Sequence, residues 1–399
     1  MMKNKEVEAG NPFLPQEIIR DILTRLPVKS LIRFQCVCRY WRDLYRDPSF
    51  ITDHLHHSNR QNPCILFQRY RSYDNEYDNH SDLYSLGSDM QVQRFQNPPL
   101  IEHLNHGEIV GSSDGLLCVQ TNRLHYRHHS LLLWNPAIKE VKLVPETDFC
   151  RGFYPYVNPY GYNSIGFGFC PSLNDYKIVI PYVKNDCFEM FKVYSLRSRS
   201  WKEVKYRLDA CYIHYSVTVN GVMYWSGKTE IISFDLAMEV WIVIPMPETH
   251  PSTGYDHVMV YEGKLAFVSC THDVYHSAIH LWVREEGVGA SGETWNWTKK
   301  FTSNPYPSSW LFPTTMLGNE IFCMIWYSES TNAVLFNPTT KNFKELNISK
   351  CDDEHQICNY VESLVSVGGT KSSTKFLRRR GSSSWGEYSG VRKMIKQKL

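Results

Sequence analysis

The chain of 399 residues has no run of about 18 apolar residues, so no membrane-spanning helix is expected. Its first ten residues, MMKNKEVEAG, lack the apolar centre of a secretory signal. A soluble chain of the cytoplasm, the nucleus or both is therefore expected. An excess of one charge is also missing: 43 Lys and Arg stand against 41 Asp and Glu, a net +2, too little to draw the whole chain to nucleic acid or an anionic membrane. Neither is expected as a partner. The twelve cysteines lack the dense, regular spacing of a secreted disulfide scaffold, and most lie inside apolar runs such as GLLCVQ, GFGFC and EIFCMIW. They read as reduced core thiols. In such a compartment the glycosylation triplets at Asn296 and Asn347 go unused.

Motifs that carry chemistry are scarce too. No GxSxG elbow, no phosphate-binding P-loop and no GxGxxG after a strand is present, and GFGF at 166–169 reads as a strand with small residues. GETW at 292–295 fails as the sialidase box SxDxGxTW, because Val288 and Ala290 stand where Ser and Asp are needed. His272, His276 and His280 recur every fourth residue, a ligand spacing on a helix, but their run enters the strand-like IHLWV, where such residues lie far apart. Cys36 and Cys38 have no second ligand pair, and Cys351 with Cys358 has no metal spacing. No metal, cofactor or catalytic residue is expected, and the chain is read as a non-enzyme.

What is present falls into two unequal parts. Aromatic residues make up 14% of the chain, with 25 Tyr and 11 Trp, which favours strands for the larger part. Residues 12–51 differ, with three short helical patterns in succession. Ile18, Ile22 and Leu26 recur at i, i+4, i+8 beside Ile19 and Leu23, Pro15 suits a first helical turn, and Pro27 stops the helix. Leu31 and Phe34 give a second face, and Val37, Trp41, Leu44 and Tyr45 a third. A unit of about 40 residues is near the lower limit for a self-sufficient core, so some of these side chains should be left over. They could serve a partner or dock the unit on the rest of the chain. His54, His56 and His57 read as a solvated joint.

From about residue 60 the pattern becomes short apolar runs separated by turn residues, with a repeat beneath them. Trp134 is followed seven residues later by Val141, Tyr194 by Trp201, Phe234 by Trp241 and Phe336 by Phe343, each pair enclosing a turn such as Asn135-Pro136 or Asn337-Pro338. Each pair predicts a hairpin. SSDGLLCV, TVNGVMYW, VYEGKLAF and MLGNEIFC each set a Gly turn before a further strand. Units of four strands every 40 to 60 residues predict a β-propeller, with six blades as the natural count once ILFQ with DLYSL and IHLWVREE with TWNWTKKF are included. A sandwich is the alternative, but it gives no reason for a repeated seven-residue offset. NYVESLVSV at 359–367 is expected to be the strand that completes the first blade. Tyr-rich loops at 70–82 and 144–163 have the composition of protein-binding surfaces, although their rings could equally fill gaps between blades. The fold class is thus mainly β, with a small three-helix module ahead of a propeller of about six blades. Expected boundaries are a disordered leader at 1–11, the helical module at 12–55, the propeller at 60–367 and a tail at 368–399. From 370 onward the tail holds nine Lys and Arg against Glu387 alone, and it is expected to be largely disordered.

The series LPxEIIxxILxRLPVKSLIRFxCVCxxWRxLxxDPxF resembles the F-box of plant F-box proteins, with Arg39 where a Lys is frequent. GSSDGLLCV, LLLWNPAIKEV, IGFGFCPSLNDYKIV and YVESLVSV are similar to segments of the F-box-associated domain that follows it in that family. The resemblance implies a kelch-like propeller that receives a target protein for ubiquitination. It further implies a docking element for a Skp-type adaptor and, through it, a cullin scaffold. By motif position Leu14, Pro15, Ile18, Leu23, Leu26, Pro27, Leu31, Val37 and Trp41 would make or support that contact. Two other readings stay open: a propeller enzyme such as a glycan hydrolase with a helical cap, and a scaffold that binds the adaptor without promoting degradation. The identity of the target lies in loop side chains and is not legible.

Overall fold

The computed structural model describes residues 14–61, 63–71, 80–95, 106–122, 129–145, 165–184, 187–208, 216–247, 256–285, 295–308, 310–325, 333–346, 357–368 and 370–371. Its helical part comprises α1 (Gln16–Thr24), α2 (Val28–Phe34), α3 (Arg39–Leu44) and α4 (Pro48–Gln61). The first three follow the three apolar patterns. The fourth is a correction, because residues 48–61 form a helix that runs past 55 and carries the histidines read as a solvated joint. His54 is buried, 1% exposed, and its Nε2 hydrogen-bonds the Leu26 carbonyl at 2.9 Å. Pro15 stands just before α1 rather than in its first turn, and its carbonyl accepts the Ile19 N–H at 3.1 Å.

Among the described residues the remaining regular structure is antiparallel sheet, apart from a short 3-10 turn at Pro171–Leu173. The first blade holds β1 (Cys64–Arg71), β2 (His80–Gly87) and β3 (Val92–Phe95); the second holds β4 (His106–Ser113), β5 (Leu116–Asn122), β6 (His129–Asn135) and β7 (Glu140–Leu143). The third holds β8 (Gly166–Cys170), β9 (Asp175–Lys184), β10 (Cys187–Ser195) and β11 (Ser200–Leu208), and the fourth β12 (Ser216–Val219), β13 (Val222–Ser226), β14 (Glu230–Asp235) and β15 (Trp241–Pro245). The fifth holds β16 (His257–Tyr261), β17 (Lys264–His272), β18 (Ser277–Glu285) and β19 (Asn296–Thr302), and the sixth β20 (Leu311–Leu317), β21 (Glu320–Ile325), β22 (Ala333–Phe336) and β23 (Phe343–Leu346). The ring closes through β24 (Ile357–Tyr360), which pairs with β1 so that Tyr360 faces Cys64.

The closing strand is therefore shorter than expected and set earlier, at 357–360. Residues 361–367 instead leave the sheet and cross the second blade. Asn135 holds them there, its Nδ2 donating to the carbonyls of Ser363 at 3.1 Å and Val365 at 2.7 Å. A two-residue strand, β25 (Thr370–Lys371), then pairs with β7. The expected disorder of the tail from 372 onward, and of the leader at 1–11, lies outside the described residues.

The seven-residue offset is a hairpin register. Trp134 faces Val141, Tyr194 faces Trp201, Phe234 faces Trp241 and Phe336 faces Phe343 across adjacent strands. In three of the four, the residue after the anchor closes the turn with its side chain: Asn135, Asp235 and Asn337 each accept two backbone N–H groups through Oδ1. The residue five after each anchor, Lys139, Arg199, Glu239 or Lys341, takes a φ between 56° and 58°. One turn shape, used four times, fixes the offset. The upstream Gly turns are tight two-residue links in which Gly115, Gly221, Gly263 and Gly318 all have positive φ.

Six apolar clusters lie between neighbouring blades, one at each junction around the ring. Along β1, Ile65 packs toward the sixth blade and Leu66 toward the second, so both faces of a strand are buried and its sequence reads as an unbroken apolar run. This rules out a two-sheet sandwich. A seventh cluster forms the helical core, with Leu23, Val28, Leu31, Leu44, Tyr45 and Phe50, and it reaches the propeller through Leu364, Ala137 and Ile138.

Candidate functional site

Antiparallel order sorts the loops between two faces. In each complete blade the turns from first to second strand and from third to fourth lie on one face. The helical module sits on that face, near Ala137 and Ile138 of the third-to-fourth turn in the second blade. Nearby, Tyr176 donates to Asp114 at 3.2 Å, and burial raises the Asp114 carboxyl against the smaller opposing influences of that hydrogen bond and of His56 on α4. The described links from second to third strand, 227–229 in the fourth blade and 273–276 in the fifth, and residues 303–308 leading toward the sixth blade, lie on the opposite, distal face.

On the helical module, α1 and the residues that flank it carry two apolar stripes. Ile19, Leu23 and Leu26 turn into the helical core. Leu14, Ile18 and Ile22, again at i, i+4, i+8, are 54%, 48% and 45% exposed. Val37 at 58%, between α2 and α3, and Tyr40 at 38%, in the first turn of α3, add to this uncovered apolar surface. The nine residues named from the motif thus separate by role. Leu14, Pro15, Ile18, Pro27 and Val37 are exposed, whereas Leu23 and Leu31 are buried and hold the helices together. Leu26 and Trp41 are half-buried, Trp41 tilted against Phe34 with ring centroids 5.6 Å apart. Ile22 and Tyr40 belong with the exposed set although the motif did not single them out. Ile22 continues the spacing of Leu14 and Ile18, a signal the sequence did contain. Arg20 ties α1 to α4 through Asp53 at 2.6 Å and Ser49 at 2.9 Å, which orients the outer stripe at small energetic gain for an exposed pair.

A second exposed patch lies on the distal face. The turn from β17 to β18 presents Val274 and Tyr275, 77% and 74% exposed, and the link into the sixth blade brings Trp310 at 39%. Asp273 shapes the turn by accepting the N–H groups of Tyr275 and His276 at 2.7 and 2.6 Å, and these bonds hold its carboxyl below the usual range. His272 packs against both Trp310 and Phe312, with ring centroids 6.4 and 5.9 Å away. The centres of the two Tyr-rich loops, 72–79 and 146–164, which read equally as a protein-binding surface and as filling between blades, lie outside the described residues.

The three regularly spaced histidines go to separate partners. His272 Nδ1 meets Ser277 at 2.8 Å, His276 faces Asp273, and His280 lies between Thr271 and Thr302, 3.0 Å from each hydroxyl. Among the described residues no three His, Cys, Asp or Glu come together as ligands, and no helix is long and apolar enough to cross a membrane. The innermost strands β24, β4, β8, β12, β16 and β20 neighbour one another around the axis. Glu108 on β4 is half-buried there, and desolvation pushes its carboxyl up to about 7. Gly166 and Gly168 serve packing in this ring: a Cβ on the first would lie 2.6 Å from Trp225 and on the second 2.2 Å from Thr218.

Comparison with known proteins bears on both parts. Residues 61–369 match the family model described as F-box associated beta propeller domain, and residues 12–55 match the F-box-like model. The chain is similar to F-box protein CPR1 of Arabidopsis thaliana, 26% identical over 394 residues and covering 88% of each chain. Another F-box protein of that plant is 29% identical over 245 residues, 59% of this chain and 61% of its own length, so this match spans less than two thirds of the relative. The F-box/kelch-repeat protein At3g23880 is 28% identical over 253 residues, 59% of this chain and 65% of that one.

Proposed function

The chain belongs to the F-box proteins with an associated β-propeller domain, and from that premise we propose that it is the target-receiving subunit of a Skp-cullin-F-box ubiquitin ligase. The observation that carries the reading is the outer stripe of α1. A helix whose inner face already fills the helical core has no structural need of Leu14, Ile18 and Ile22 in solvent, and with Val37 and Tyr40 they suit a Skp-type adaptor. The distal face then holds the target, with Val274, Tyr275 and Trp310 part of its surface.

The chemistry is proximity. The adaptor and cullin bring a charged conjugating enzyme to one side of the chain, the propeller holds a target on the other, and target lysines meet the thioester at high effective concentration. No residue of this chain takes part in a covalent step. The complex works in the cytoplasm, the nucleus or both.

Ile18→Asp and Val37→Asp in the full chain test the assignment. Both side chains are exposed, so thermal melting is unchanged, while adaptor affinity falls by about 2 kcal/mol or more, some thirtyfold. Undiminished co-purification of the adaptor with both variants sinks it. Replacing Val274, Tyr275 and Trp310 together by Ser leaves adaptor binding intact and depletes co-purified targets after proteasome inhibition. An unchanged target set would move the target site elsewhere on the propeller.

A further inference from the structure

The helical module is joined covalently to the propeller by the short stretch between α4, which ends at Gln61, and β1, which begins at Cys64. A single link of that kind is a pivot. A second attachment comes from the far end of the chain, where residues 361–367 cross the second blade. Leu364, 5% exposed, joins Val28, Leu31 and Phe50 in the helical core, beside Ala137 and Ile138 of the turn between β6 and β7.

One buried side chain, Asn135, ties together both propeller pieces that touch the helices. Its Oδ1 accepts the Ala137 and Ile138 N–H groups at 3.0 and 3.4 Å, and its Nδ2 donates to the Ser363 and Val365 carbonyls. The turn needs only the acceptor, because Asp235 closes the equivalent turn of the fourth blade with a carboxylate, 2.7 Å from each N–H. The amide donor is surplus to the turn. In the sixth blade Asn337 turns it to Glu320 at 3.1 Å, and in the second Asn135 holds the crossing segment with it. Glu140 secures the far end of the segment, accepting Ser366 Oγ at 2.6 Å and the Val367 N–H at 3.2 Å.

We propose that residues 361–367 are a strap that fixes the orientation of the helical module on the propeller, and that Asn135 and Leu364 are positioning residues for ubiquitin transfer. Both side chains are buried, so neither touches adaptor or target. Transfer by proximity depends on effective concentration, and two bodies joined through one pivot spread the lysines of a bound target over a larger volume than two bodies held rigidly. The strap confines that volume. Its loss slows transfer while binding at either end is unchanged. The inference rests on the ligase reading for this consequence, but not for the geometry of the strap.

The full chain bound to the Skp-type adaptor is compared with its Asn135→Asp and Leu364→Ser variants. For distance measurement, exposed Arg46 on the module and exposed Thr340 on the sixth blade are each replaced by a keto amino acid that carries a spin label. The natural chain gives one narrow distance distribution, and both variants give a broad one with the propeller still folded. The adaptor and the targets co-purified after proteasome inhibition are captured in the same amounts, while ubiquitin transfer to those targets slows about fivefold or more. Leu364→Met, which refills the helical core, restores both readings. Narrow distances in both variants, or undiminished transfer despite broadened distances, overturn the proposal. Asn135→Asp keeps the acceptor that the turn needs, so it decides the matter where Leu364→Ser fails to fold. A natural chain that transfers no ubiquitin marks failure of the ligase reading instead, and the distances then still decide the strap.

Discussion

The helical module and the propeller bury apolar residues under different rules. In the propeller each inner strand serves two junctions, as Ile65 and Leu66 do on opposite faces of β1, and the ring returns to its starting blade through β24. The apolar side chains that closure leaves exposed are scattered over outer strands and turns, as Leu143 on β7, Val243 on β15, and Val274 and Tyr275 in a turn. The module has one small core, which α1 enters with Ile19, Leu23 and Leu26 while Leu14, Ile18 and Ile22 stay outside. A closed repeat satisfies itself, and an open bundle of short helices leaves a face for another protein.

Breaking the closure has the largest expected effect. Ending the chain at residue 355 removes β24, exposes the edge of β1 and withdraws Tyr360 from its edge-on contact with Phe95, ring centroids 5.4 Å apart. It also removes Leu364 from the helical core and the 361–367 segment from Asn135. The truncated protein should be insoluble. A soluble product that melts in two stages would show that the blades do not depend on closure.

A glycine pair sharpens the comparison at the place where module and propeller meet. Gly115 and Gly263 occupy equivalent tight turns, with φ of 80° and 74°. A Cβ on Gly263 meets nothing within 4 Å, whereas on Gly115 it would lie 2.5 Å from the Val361 carbonyl oxygen and 2.5 Å from Ser363 Oγ. Gly263→Ala should cost about 1 kcal/mol from the backbone alone. Gly115→Ala should cost about 3 kcal/mol, because residues 361–363 must also move. Denaturant unfolding measures both, and equal losses would mean that this contact does not hold the segment.

Much of this architecture was legible because it repeats. The aromatic pairs at offset seven gave the hairpins and their register, since Asn135, Asp235 and Asn337 impose one turn shape wherever they follow an anchor. What escaped had no repeat to support it. On α4 the buried face reduces to Phe50 and His54 among polar neighbours, so apolar spacing could not show it. The segment at 361–367 reads as strand because its apolar residues alternate, yet Leu364 serves the helical core while Val365 and Val367 serve the junction of the second and third blades. The motif located the candidate surface but could not separate Leu23 and Leu31, which hold the helices, from Ile18 and Val37, which are exposed. That division depends on how α1 is rolled against α2 and α4.

The smallest net effect on the natural chain comes from two titratable groups of the propeller, buried His280 and half-buried Glu108, whose pH dependences oppose each other. Desolvation, with a smaller influence from Lys299, lowers His280 to about 4 from 6.5, so its contribution to stability is full above about 6.5 and is lost as pH falls toward 4. His54 in the helical module is lowered by burial and acts in the same direction. Glu108 is opposite: its folded value of about 7 lies above the usual 4.5, so its contribution is full below about 4.5 and is lost as pH rises through 7. Each difference of about 2.5 units corresponds to at most about 3 kcal/mol, and the two slopes oppose each other. The natural chain should therefore show a shallow stability maximum between about pH 5 and 7. Glu108→Gln should stabilise at pH 8 and change little at pH 4, moving the maximum upward. His280→Gln should flatten the fall between pH 6.5 and 4 and leave the alkaline side as it was. Chemical denaturation at pH 4, 6 and 8 separates the two, and a Glu108→Gln profile parallel to the natural one would show that this carboxyl does not titrate near 7.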